Sequence, residues 1–224
     1  MLSYARLAAF QSRIPFILFC LYLLIFHSAC APGLGSSIAI AGVGKTDFAI
    51  NKIFLPEDDV KVNVLQFADL RTIEAIAQID GRLIRPDGDV GQAAQRIFEN
   101  GVKSLGIKLS FFDAPSVRGK IREWQVQVFP AFPASGLKAK AVLNVELLGI
   151  TGAVIRSAEY LGEYREEHPF MTEDKIQSAL ASAMKLAVEE LLKDKQFIDS
   201  LVTASSYRHD GSLTAPFNPN LMDY

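Results

Sequence analysis

RGKIREWQVQV at 118–128 and LKAKAVLNVELL at 137–148 decide the fold. In the first stretch Trp124, Val126 and Val128 alternate with Glu123, Gln125 and Gln127. In the second, Ala139, Ala141, Leu143, Val145 and Leu147 alternate with Lys138, Lys140, Asn144 and Glu146. Alternation with period two marks a strand with one buried and one wet face, and two such runs joined by a short link make a hairpin. The burial pattern also sets the register. Trp124 shares the buried face with Ala139 and Ala141 if facing residues sum to an odd number, which puts Trp124 opposite Ala141 and Val126 opposite Ala139. A slip of one residue would set Lys138 against Val126 and flip the whole set. The apolar phase shifts between Ile121 and Trp124, which predicts a bulge there.

Working outward, Gly149-Ile150-Thr151-Gly152 turns the chain into a further strand, 153–165, with Ala158, Tyr160, Gly162 and Tyr164 on one side. Thr172 is suited to cap a long helix. Glu173 and Asp174 favour its positive end, and Ile176, Leu180, Ala183, Ala187 and Leu191 form a stripe at helical spacing. A short helix over 194–202 buries Phe197, Ile198 and Leu201. Upstream of the hairpin, Asp89 is placed to cap a helix whose Val90, Ala94, Ile97, Gly101 and Leu105 share a face, with Gly106 as its stop. Strands are expected at 48–55, 60–67 and 107–112, with one more at 79–84 before a Pro86-Asp87-Gly88 turn. Ile38 to Ala41 reads as a short edge strand. The expected class is α+β: a mainly antiparallel mixed sheet with two main helices packed on one face.

The 224-residue chain opens with Arg6 and Arg13 and no acid, then an apolar run from Ile14 to Phe26, then His27-Ser28-Ala29 before Cys30. This is the layout of a secretory signal, and the run is too short and too interrupted for a membrane span of about 20 apolar residues. Ser28-Ala29-Cys30 matches the end of a lipoprotein signal, with His27 where Leu is usual. Ala29-Cys30-Ala31 is an A-x-A-like alternative, but Pro32 would then follow directly after the cut. The expected division is a signal peptide at 1–29, a tether at 30–45 anchored by lipid on Cys30, one domain at 46–203 and a disordered tail at 204–224. Cys20 and Cys30 are the two cysteines, so no disulfide is expected in the mature domain. After the leader, 21 basic and 25 acidic side chains remain. That balance, in an envelope compartment, disfavours nucleic acid as a partner.

Residues suited to chemistry are few. Gly42-Val43-Gly44-Lys45-Thr46 imitates a phosphate loop, but Ala39 stands where the pattern needs its first Gly, so a Gly-rich linker is the plainer reading. His168 and His209 lie in polar segments without metal-ligand spacing, and no nucleophile elbow is present. Neither metal, cofactor nor enzymatic activity is expected. Asp69 and Arg71 follow an apolar strand and suit either a polar ligand or a turn cap with a local ion pair. Phe129-Pro130-Ala131-Phe132-Pro133 forms the hairpin tip, where Phe129 and Phe132 either cover the domain or meet a partner. Tyr207, Phe217, Leu221, Met222 and Tyr224 in the tail suit a docking motif or a frayed terminus.

Together, the leader ending in Cys30, the strand running into Asp69-Leu70-Arg71, the helix closed by Gly106-Ile107, the long hairpin, the Tyr160-Leu161-Gly162 strand and the helix ending in Asp194-Lys195-Gln196-Phe197 resemble the YajG-like bacterial envelope lipoproteins. The resemblance covers residues 58–202 and is one of pattern. It implies a location and a shape and no reaction. The expectation is a protein lipid-anchored to the outer membrane through Cys30, facing the periplasm, that binds or scaffolds an envelope protein partner. The alternative is a carrier of a small ligand such as a lipid or peptidoglycan fragment. Ala31 after Cys30, in place of an Asp, favours the outer membrane.

Overall fold

The computed structural model describes residues 35–40, 43, 47–48, 60–130 and 134–206. The chain divides into two compact units at Gly35/Ser36, and the fold below is that of the second. Its strands are β1 (Ser37–Ala39), β2 (Lys61–Val64), β3 (Ala68–Asp69), β4 (Ala77–Ile79), β5 (Arg82–Asp87), β6 (Lys108–Leu109), β7 (Ser116–Pro130), β8 (Ser135–Leu148) and β9 (Val154–His168). Its helices are α1 (Val90–Ser104), α2 (Glu173–Lys193) and α3 (Lys195–Ser206).

All nine strands join one mixed sheet built around β7. On one side β8 and then β9 follow as long antiparallel neighbours. Along the other edge β2, β3 and β4 run in succession, each parallel to β7. Beyond β2 lies β6, and beyond β4 lie β5 and then β1. Trp124 faces Ala141 and Val126 faces Ala139, the odd-sum register, and the bulge falls between Ile121 and Glu123. The reason is burial. Trp124, Val126, Ala139, Ala141, Leu143, Val145 and Leu147 all lie on the covered face with essentially no exposure, and a one-residue slip would exchange them for Lys138, Lys140 and Glu146.

α1 and α2 cover that face. Asp89 caps α1 by accepting from the Gln92 N–H at 2.9 Å, and Gly106 follows the helix at φ 87°, where a Cβ would be strained. Thr172 caps α2 in the same way through the Lys175 N–H. α2 approaches β9 so closely that a Cβ on Gly162 would lie 1.9 Å from the Ala183 carbonyl oxygen. The Trp124 indole donates to the Leu180 carbonyl at 3.0 Å, so its one polar atom is satisfied inside the core. Phe67 lies over Gly119 and meets Phe98 with ring centroids 5.3 Å apart, sealing α1 to the sheet.

Four expectations need correction. The stretch read as a tether carries β1 over Ser37–Ala39, which overlaps the edge strand expected at Ile38 to Ala41 and packs into the domain. Ile38, Ile40 and Val43 are buried, β1 pairs with β5, and the Ala39 N–H donates to Glu173 Oε1 at 3.1 Å. The single strand at 79–84 is a hairpin of β4 and β5, turned by Asp80 (φ 49°) and Gly81 (φ 77°), and Pro86 sits inside β5. An Asp-Gly pair accepts two successive positive φ values, which the right-handed twist of a tight hairpin requires. The expected strand at 107–112 stops at Leu109, with Asp113 at φ 59° and Pro115 close behind. Finally, α3 runs on through 204–206, where the Lys61 N–H donates to Ser205 Oγ at 3.1 Å, so the folded part ends later than residue 203. Of the expected strand at 48–55 Phe48 alone is described, and it lies in no strand; the rest of it and the tail from 207 lie outside the described residues.

Candidate functional site

The broken edge of β7 forms the first candidate. Eight positions separate Asp69 from Ala77 along the edge, but their partners Ile121 and Val126 are closer together, so residues 71–75 leave the pairing beside the bulge while Leu70 and Ile76 still bond to β7. Arg71 fills the gap. Its side chain is 4% exposed and donates to both Asp69 oxygens, at 2.8 and 2.9 Å, and to the Trp124 carbonyl at 3.3 Å. Burial disfavours the charged form of Asp69, but the hydrogen bonds and charge of Arg71 outweigh it and hold the carboxyl below its usual range. Both groups are thus engaged with each other and with the backbone. Beside them Arg71, Thr72, Ile73, Arg122, Glu123, Trp124 and Gln125 line an open depression of about 260 Å³.

On the sheet face opposite the helices, Glu146 is 9% exposed between Arg118 and Lys120. Hydrogen bonds from Lys120 and Arg118 lower its pKa. Lys140 pairs with Glu123 at 2.7 Å along the same face. Opposite charges that alternate across strands neutralise one another, and this face presents no single-sign field. Among the described residues no group of His, Cys, Asp and Glu is arranged to hold a metal ion, and no helix is long and apolar enough to cross a membrane. His168 differs from a solvated loop residue: it ends β9, its side chain is 14% exposed, and its Nε2 lies 2.9 Å from Glu166 Oε1.

The remaining candidates are apolar. Phe129 is 46% exposed at the β7–β8 tip, and its ring lies over Gly136, its cross-strand partner. Phe132 and Cys30 lie outside the described residues. The structure adds apolar groups for which the sequence was read otherwise. Phe111 and Phe112, in the loop leading to β7, are more than four-fifths exposed; Ile150, Val154 and Ile155 at the β8–β9 turn are about half exposed. Register places these two loops at the same end of the sheet, because Ser116 faces Leu148 and Leu148 faces Val154. Ile155, with Asp199, Ser200, Thr203 and Ala204 of α3, lines a second open depression of about 310 Å³ there. The usable signal for Phe111 and Phe112 was Asp113-Ala114-Pro115, which ends a strand before the aromatics can be buried in it.

A scan against protein-family models and a search of the curated proteins each found no match. Solved structures do show similarity. A Xanthomonas campestris protein described under the family model DUF330 aligns at 14% identity and TM-score 0.47, over 66% of this chain and 88% of its own. A minor lipoprotein from Acinetobacter baumannii aligns at 10% identity and TM-score 0.37, over 64% and 93%. At such identities and scores neither a family nor a function passes from them to this chain.

Proposed function

We propose that this protein is an envelope lipoprotein, anchored through Cys30 on the periplasmic face of the outer membrane, whose folded unit acts by contact with a protein partner and not by catalysis. The anchor rests on the leader and on Ser28-Ala29-Cys30, and the YajG-like pattern agrees with it. The observation that carries the contact reading is the apolar end of the sheet. Phe111, Phe112, Ile150, Val154 and Ile155 stay exposed there on two loops at one end of the sheet, above a buried face of Val117, Leu147 and Leu148. A water-facing cluster of this kind is unfavourable unless something covers it, and aromatic residues are the usual anchors of interfaces. Tethering would raise the effective concentration of a partner held in the same membrane. The alternative is a small-ligand carrier, for which the two open depressions lined by Arg71 to Gln125 and by Ile155 and α3 are candidate sites.

Two measurements test this. Intact mass of the mature protein should show a diacylated or triacylated N-terminal Cys30, lost in Cys30→Ser; an unlipidated product beginning at Pro32 would overturn the anchor. A photo-crosslinking residue at Phe112 should trap one discrete protein band in cells, while the same residue at Gln127 on the polar face should not. Equal, diffuse crosslinking at both would remove the contact reading.

A further inference from the structure

We infer that the opposite end of the sheet, which carries Phe129 and Phe170, rests on the lipid surface, so that the anchored molecule stands with its Phe111 and Phe112 end pointing away from the membrane. This rests on the reading of Cys30 as the lipid anchor. The direction comes from register. β1 runs parallel to β5, β5 antiparallel to β4, and β4 parallel to β7, so β1 runs against β7. Ser37 faces Arg85, next to Ile84, which faces Ala77, which faces Val126; Ser37 therefore stands level with Gln125. The N-terminal end of β1, at Ser37, is therefore its end nearer the β7–β8 tip.

Length then distinguishes the ends. Cys30 precedes Ser37 by seven residues, a reach of at most about 25 Å. From the level of Gln125 the tip at Pro130 is about 17 Å away, and the start of β7 at Ser116 is about 31 Å away in the other direction. A lipid on Cys30 can draw the tip onto the bilayer and cannot bring the Ser116 end to it. The side chains at the near end suit that contact. Phe170, just past β9, is 80% exposed, and Leu83, beside the Asp80-Gly81 turn, is 62% exposed. Phe129 faces Gly136, which faces Glu167, so Phe129 and the approach to Phe170 share this end. Phenylalanine partitions favourably into the headgroup–acyl boundary. Charges at this end are of both signs, exposed Arg82 and Arg165 with Asp80 and Glu167, so the contact is apolar and needs no anionic lipid.

The test uses the absence of other cysteines in the mature chain, which makes a single added thiol uniquely labelled once Cys30 carries lipid. The mature lipoprotein, its acylation first checked by mass, is placed in phosphatidylcholine vesicles with a bimane label at F129C, F170C, F112C or I150C. Brominated phosphatidylcholine should quench the labels at 129 and 170 at least twofold more than those at 112 and 150, and aqueous iodide should show the reverse order. Two tip positions guard against a local disturbance where Phe129 covers Gly136. An acylated protein whose four labels respond alike, or whose 112 and 150 labels are the quenched ones, overturns this orientation and leaves the anchor standing. An unacylated mature protein overturns both.

Discussion

At the scale of single residues, two side chains show how the backbone and its substituents fit each other. Arg71 closes a gap that strand pairing leaves. The bulge in β7 and the unpaired stretch at 71–75 remove the edge partner of the Trp124 carbonyl, and the guanidinium supplies a donor there while gripping Asp69. Lysine has the charge without the planar fork. Arg71→Lys should therefore destabilise the fold by about 1–3 kcal/mol, as expected for buried polar groups left without partners, read as a lowered midpoint in urea. Gly162 acts by having no side chain. With the Ala183 oxygen 1.9 Å from where a Cβ would stand, Gly162→Ala must push α2 off β9. A loss of about 1–3 kcal/mol is expected, or roughly 2–4 °C in Tm for each kcal/mol, against no comparable loss for the exposed neighbour Leu161→Ala.

At the scale of elements, Asp194 joins three of them. It lies between α2 and α3, accepts from the Gln196 and Phe197 N–H groups through Oδ1, and receives Tyr160 Oη–H at 2.8 Å and the Arg156 guanidinium at 3.1 Å through Oδ2. Burial opposes its charge, but the hydrogen bonds from Tyr160, the Phe197 N–H and Arg156, with the charge of Arg156, lower its pKa below the ordinary 3.8. Burial, and then the bond to Asp194, push the Tyr160 phenol up, so it stays a protonated donor through the physiological range. A carboxyl with a lowered folded-state pKa contributes stability above its unfolded pKa and loses it as pH falls through the folded value. The helix junction should thus weaken below about pH 4. Denaturation midpoints measured from pH 7 to pH 2.5 should fall less steeply for Asp194→Asn than for the parent, and the two should converge at the acid end. A parallel fall in both would show that Asp194 is not a source of the acid sensitivity.

At the scale of the whole molecule, the sheet is a meander of three long strands, β7, β8 and β9, with the broken run of β2, β3 and β4 laid along the other edge of β7, and its two ends differ in what they expose. β7 spans about 48 Å, so a partner at Phe111 and Phe112 and a lipid surface at Phe129 would not compete for space. The last described helix also ties back to the sheet: Ser205 in the last turn of α3 holds β2 through the backbone of Lys61. A chain ending at Thr203 should melt a few degrees below one ending at Ser206, as the loss of a hydrogen bond of about 1 kcal/mol requires. Equal melting temperatures would mean that the last turn adds nothing.

Patterns that repeat within a few residues were legible in the sequence. The alternation of 118–128 and 137–148 carried the strand register and the bulge, and the helical stripes with Asp89, Thr172 and Gly106 carried α1 and α2, because each depends on local geometry and on one buried face. Cys30 likewise drew its meaning from adjacent residues. What depended on partners distant in the chain was not legible: that Ser37–Ala39 has a parallel place beside β5, that Arg71 reaches the Trp124 carbonyl, and that Phe111 and Phe112 stay in the open at the same end of the sheet as Ile150. Those features are decided by which strands become neighbours, and strand neighbourhood is a property of the whole packed core, in which the burial of every apolar face is satisfied at once.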